Sequence, residues 1–95
     1  MLQTQLLEKK WLKRVFQVET DTGIHRIEYN GRGIGFETVK VDGQVSVQKR
    51  SWFWFIPKFT FQLESISGEI NVRVGPSLSI RSFRLILNSV IYYQE

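Results

Sequence analysis

The chain has 95 residues, too short for more than one domain of ordinary size. It has no cysteine and one histidine, which excludes disulfides, thiolate metal sites, a cysteine nucleophile and any multi-histidine metal centre within one copy. Hydrophobic residues make up 42% and charged residues 23%, a globular rather than disordered balance, and 13 Lys and Arg against 9 Asp and Glu leave a net charge of +4.

An excess of that size attracts nucleic acid or anionic lipid in some proteins and serves only solubility in others. The scattering of the cations into small groups favours solubility. No apolar run is long enough for a membrane-spanning helix, and the start lacks the basic-then-apolar pattern of a secretory signal. The expected compartment is therefore the cytoplasm.

Residues 1–13 read as a basic amphipathic segment set apart from a domain over 14–95. Leu2, Leu6, Leu7, Trp11 and Val15 recur at steps near three and four without Gly or Pro, which predicts a short helix over 2–12. Its apolar stripe would dock on the domain, most favourably within a homodimer, because a small chain gains from added burial. From Arg14 onward, β-branched and aromatic residues dominate and turn signals recur at short intervals, the rhythm of an antiparallel β-sandwich.

The first predicted strand spans 14–20, with Phe16 and Val18 on one face. Asp21-Thr22-Gly23 turns the chain into a strand over 24–30, where His25, Ile27 and Tyr29 share a face. A third strand, 34–41, ends at Asp42-Gly43, a strong hairpin signal. The fourth, 44–50, is expected to send Val45 and Val47 inward. Pro57 belongs at a strand start or edge, since it cannot donate to a ladder. A fifth strand over 58–64 alternates with Phe59, Phe61 and Leu63 inward. Ser65 to Gly68 reads as a turn, followed by 69–74 with Ile70, Val72 and Val74 inward. After Gly75-Pro76-Ser77 comes 79–87, with Phe83, Leu85 and Leu87 inward. Asn88-Ser89 turns into a last strand over 90–94. The expected fold is all-β: an antiparallel β-sandwich of about eight strands behind an N-terminal helical or extended segment.

The segments Gly23-Ile24-His25-Arg26-Ile27-Glu28-Tyr29, Val39-Lys40-Val41-Asp42-Gly43 and Trp52-Phe53-Trp54, followed by Phe83-Arg84-Leu85-Ile86-Leu87-Asn88 and Tyr92, resemble in order and spacing the Fas apoptotic inhibitory molecule family. The resemblance implies a compact antiparallel β-sandwich without catalysis that acts through protein contacts. The family's regulation of cell survival and protection against aggregation come with it. This chain departs by reading as one domain rather than a tandem pair, and by its basic segment before Phe16.

Candidate chemistry is sparse. His25 titrates near neutrality, but Glu28 lies on the opposite strand face and no serine has a nucleophile context, so a structural histidine is the stronger reading. Gly31-Arg32-Gly33-Ile34-Gly35 looks like a phosphate-cradling loop, but a strand rather than a helix follows, which favours a turn with a bulge. Residues 49–58 carry the most information. Lys49 and Arg50 lead into Trp52-Phe53-Trp54-Phe55-Ile56 and then Lys58. Aromatics flanked by cations can anchor a protein interface, stack nucleic-acid bases or sit on a bilayer surface. Buried on both faces, the same run is simply core. The expectation is a non-catalytic protein-interaction module, self-associating as a homodimer, with Trp52, Trp54, Lys49, Arg50 and Trp11 as contact residues. It carries no cofactor and no metal. Binding of nucleic acid or an anionic surface is the alternative.

Overall fold

The computed structural model describes residues 2–31, 35–51 and 55–95. These form nine strands and no helix: β1 (Gln3–Lys10), β2 (Lys13–Glu19), β3 (Ile24–Asn30), β4 (Gly35–Val41), β5 (Gln44–Ser51), β6 (Lys58–Leu63), β7 (Ile66–Val74), β8 (Ile80–Leu87) and β9 (Val90–Gln94). Within each sheet every strand pairs antiparallel with its sequence neighbour, and β5 does not pair with β6. The first five make one sheet, β1-β2-β3-β4-β5, and the last four a second, β6-β7-β8-β9.

The expected N-terminal helix is β1 instead. Thr4 and Leu6 face inward from it, as does Leu2 just before it, and it pairs with β2 from Gln3↔Glu19 to Lys10↔Lys13. A spacing of four is even, so Leu2 and Leu6 suit a strand as well as a helix. Leu7, which completed the helical pattern, is the extra residue of a β-bulge and is exposed. Residues 3–10 thus belong to the five-stranded sheet.

Alternation predicted the other strands because each sends one row of side chains into a shared interior. Phe16, Ile27, Tyr29, Val39, Phe59, Ile70, Phe83, Leu85 and Leu87 are fully buried. The centre is aromatic and joins the two sheets. Phe83 lies 5.7 Å from Phe16 and 5.4 Å from Tyr29 between ring centroids, and Tyr29 lies 5.6 Å from Phe59. Such edge-to-face and offset contacts add to what burial contributes.

Two details of the sequence reading fail on local geometry. Val45 is half exposed rather than inward, because Ser46 bulges between Val39↔Val47 and Lys40↔Val45 and reverses the alternation. Gly68 is not in a turn. The tight turn is Glu64-Ser65, and Gly68 sits inside β7 opposite Phe61, whose ring occupies the space a Cβ would fill. Gly68→Ala is expected to cost about 1–3 kcal/mol by overpacking. Pairing it with Phe61→Leu should recover part of that loss. Strictly additive costs in chemical denaturation would show that the ring is not the obstacle.

The tight hairpins follow turn chemistry. Asp42 and Gly43 have φ of 53° and 83°, and Asn88 and Ser89 have 49° and 66°, both pairs on the positive side that matches strand twist. Asn88 also accepts from the Ser67 amide through its side chain at 3.1 Å. The crossover between sheets is tied down by the fully buried Glu37, which accepts from the Ile56 amide at 3.2 Å and from the Tyr29 hydroxyl at 3.4 Å. Burial, reinforced by that carboxylate, raises the Tyr29 phenol well above its ordinary value. Pro57 immediately precedes edge strand β6, as its missing donor requires.

Candidate functional site

The antiparallel order sorts the connections to two ends. Residues 20–23, 42–43, 64–65 and 88–89 form short turns at one end. The β1–β2 turn, the end of β3, the start of β4, the end of β5, the start of β6 and the β7–β8 loop lie at the other. Contacts between the sheets fix the match: Thr20, Thr22 and His25 meet Glu64 at the turn end, and Arg14 meets Glu95 at the loop end.

At the turn end, His25 does have carboxylate partners, contrary to the reading from sequence. Its Nδ1 lies 2.7 Å from an Asp42 oxygen and its Nε2 2.5 Å from a Glu64 oxygen. Asp42 comes from the β4–β5 turn and Glu64 from the β6–β7 turn, so the ring bridges the two sheets. Both carboxylates stand on residues of positive φ, 53° and 56°. The Arg26 amide donates to Asp42 at 2.9 Å, while the Thr20 and Thr22 hydroxyls donate to Glu64 at 2.8 and 2.7 Å. An imidazolium donates both ways in this setting, so the hydrogen bonds to Asp42 and then Glu64 raise the His25 pKa above its ordinary 6.5. Hydrogen bonding lowers Asp42 from 3.8, chiefly through His25, and Glu64 from 4.5, chiefly through Thr22.

This arrangement holds a charge and joins two layers. Both ring nitrogens are engaged, so none is left to take a proton from a substrate, and the nearby hydroxyls of Thr20 and Thr22 are donors to Glu64. Stability should therefore follow the linkage of a clamp. The histidine's share is present below pH 6.5 and is lost as pH rises through its higher folded value. The carboxylates' share is present above their ordinary 3.8 and 4.5 and is lost as acid passes through their lower folded values. The urea midpoint should fall as pH rises above 6.5 in the parent protein, and His25→Gln should flatten that fall. Parallel pH profiles for the two proteins would contradict the clamp.

The described residues among the predicted contacts, Trp11, Lys49 and Arg50, lie at the loop end. Trp11 occupies the β1–β2 turn and is 64% exposed. Lys49 and Arg50 end β5, where Lys49 donates to the Lys58 carbonyl at 3.1 Å and stands 5.7 Å from the Phe59 ring centroid. Lys49 is thus partly committed to sealing the junction between the sheets. Arg50 pairs in register with Phe36, whose side chain is half exposed. Trp11 and the Lys49–Arg50 pair are on opposite edges of the five-stranded sheet, so they do not make a single patch. Trp52 and Trp54, and residues 32–34 of the glycine-rich stretch, lie outside the described residues.

Charge is sorted along the same axis. Lys9, Lys10, Lys13, Arg14, Lys49, Arg50, Lys58, Arg73, Arg81 and Arg84 outnumber Glu8, Glu28, Glu37 and Glu95 toward the loop end, while Glu19, Asp21, Asp42 and Glu64 outnumber Arg26 and Lys40 at the turn end. Sequence reading missed this because strand direction, not proximity in the chain, decides which end a residue reaches. The loop end's half-buried carboxylates Glu8 and Glu95 are already engaged, Glu8 with Lys10 and Lys13 and Glu95 with Arg14 and Lys9. Among the described residues no group of His, Asp and Glu could hold a metal ion, and no helix is long and apolar enough to cross a membrane. No protein-family model, curated protein or solved structure matches this chain.

Proposed function

We propose that this chain is a non-catalytic β-sandwich protein-interaction module that self-associates end to end, the basic loop end of one copy against the acidic turn end of the next. The segregation of charge along the strand axis carries the reading, since electrostatic complementarity sets orientation and association rate. Lys49, Arg50 and Trp11 are contact residues, the cations for orientation and the exposed indole for apolar area. Trp52 and Trp54 belong to the same proposal through the sequence alone, as do the likeness to the Fas apoptotic inhibitory molecule family and a cytoplasmic setting. The engagement of both His25 nitrogens supports the non-catalytic part.

Sedimentation velocity tests the reading. The weight-average mass should rise with concentration in about 20 mM salt and return to the monomer near 0.5 M, where screening is short-ranged. Lys49→Glu/Arg50→Glu should remove the low-salt association. A monomer under all conditions would end this proposal. The second reading, binding of nucleic acid or an anionic surface, is favoured by Arg73, Arg81 and Arg84, which have no carboxylate partner among the described residues. It requires a steep loss of affinity with added salt on a short RNA or on anionic vesicles.

A further inference from the structure

The β7–β8 hairpin ends in a cleft of about 370 Å³ lined by Arg73, Val74, Gly75, Pro76, Arg81 and Ser82. The pairing register shows why two arginines meet there. Val72 faces Phe83 and Arg73 faces Ser82, but Val74 faces Ile80, so Arg81 is the extra residue of a β-bulge. A bulge re-aims its side chain, and here it brings Arg81 to the side of the sheet from which Arg73 projects. Gly75 completes the arrangement. A Cβ there would stand 2.5 Å from Arg81 Cδ, so the arginine stem lies across the open side of Gly75. The loop that follows is tied back on itself, with the Gly75 amide on the Ser79 carbonyl at 3.0 Å and the Leu78 amide on the Gly75 carbonyl at 3.0 Å.

Among the described residues, no acidic side chain pairs with Arg73, Arg81 or Arg84. Arg84 is the diagonal neighbour of Arg73 on the same face, since Asn71 faces Arg84, which adds a third cation. The nearest acidic residue along β7, Glu69, is engaged by Lys58 at 3.6 Å and by the Asn71 amide group at 2.8 Å. Like charges gathered without a counter-charge are unfavourable, and an anion relieves them. Guanidinium groups offer paired N–H donors whose spacing fits phosphate oxygens, and the Ser82 hydroxyl adds a further donor.

The geometry points to a binding site for a phosphate monoester dianion in the cleft between Arg73 and Arg81, with Arg84 raising the local positive potential. This assignment stands apart from end-to-end self-association, because it rests on one hairpin within a single copy. It holds or fails whether or not the chain is monomeric.

The test is a titration of the isotope-labelled full chain with inorganic phosphate near neutral pH, read on the arginine Nε–Hε resonances. Saturable shifts at Arg73 and Arg81 with a Kd below about 10 mM are expected. Arg73→Gln and Arg81→Gln should each weaken binding by about tenfold, the loss of one charge-assisted pair. Arg26→Gln, an exposed arginine near the turn end, should leave the Kd within about twofold. A second arm uses vesicles with and without phosphatidic acid. Co-sedimentation that depends on phosphatidic acid and is competed by inorganic phosphate assigns the phosphate to a lipid headgroup; phosphate binding without co-sedimentation assigns it to a small soluble ester. Shifts that never saturate, or equal losses in the Arg26 and Arg81 variants, would overturn the site.

Discussion

An Arg14→Ala variant is expected to lose about 3–5 kcal/mol of folding free energy, the scale for removing one member of a buried ion pair. Arg14 is 3% exposed. Its Nε and Nη2 donate to the two oxygens of Glu95 at 2.6 and 3.0 Å, and its Nη1 donates to the carbonyls of Lys13 and Lys10. One side chain thus binds the β1–β2 hairpin to the end of β9, and its removal leaves two carbonyl groups without their donor and the Glu95 carboxylate with only Tyr93 and Lys9. Tyr93 shares the network, donating to Glu95 at 2.7 Å, and its phenol is pushed up to about 12 by burial and that carboxylate. The pH dependence gives an independent check. The guanidinium holds Glu95 at about 2, below the ordinary 4.5, so the pair's contribution is present above pH 4.5 and is lost as acid approaches 2. Urea unfolding between pH 2 and 5 should show that loss in the parent and a shallower slope in Arg14→Ala. A cost under about 1 kcal/mol would mean that solvent replaces the pair, as at exposed ion pairs.

Phe83→Ala should be comparably damaging, at about 3–5 kcal/mol, for a different reason. Phe83 is fully buried and its ring touches the Phe16, Tyr29 and Tyr93 rings, the last at 6.2 Å between centroids. Truncation removes the contacts that join the two sheets and leaves a void between rings too rigid to close it. Phe83→Leu should cost much less, roughly 1.5 kcal/mol or below, because most of the volume stays. For a domain of this size each 1 kcal/mol lowers Tm by about 4–8 °C, so calorimetry separates the two variants readily. Equal Tm values would place the cohesion of the sheets elsewhere.

What could be read from the sequence was whatever depends on neighbours two positions apart. Phe59, Phe61 and Leu63, or Phe83, Leu85 and Leu87, declare a buried face by alternation alone, and Asp42-Gly43 and Asn88-Ser89 declare their turns. Errors arose where parity breaks or is ambiguous. Leu2 and Leu6 satisfy both a helix and a strand, and the bulges at Leu7 and Ser46 shift the rhythm by one. Gly68 resembles a turn residue until the ring of Phe61 is placed over it. The His25 bridge was not legible, because Asp42 and Glu64 approach the ring only after two turns from different sheets converge. The meeting of Arg73 and Arg81 was likewise hidden, since it depends on one unpaired residue in β8.

The neighbour-to-neighbour pairing within each sheet bears on how the chain reaches this state. Loop-closure entropy is small when each ladder is made with the adjacent segment, and folding rates in all-β proteins are limited chiefly by distant pairings. Each meander can zip from its own hairpins. The steps spanning the greatest chain separation are then the late docking events: Phe16 onto Phe83, His25 onto Glu64 and Arg14 onto Glu95. A topology of this kind predisposes the protein to rapid assembly, with its ion-paired locks closing last.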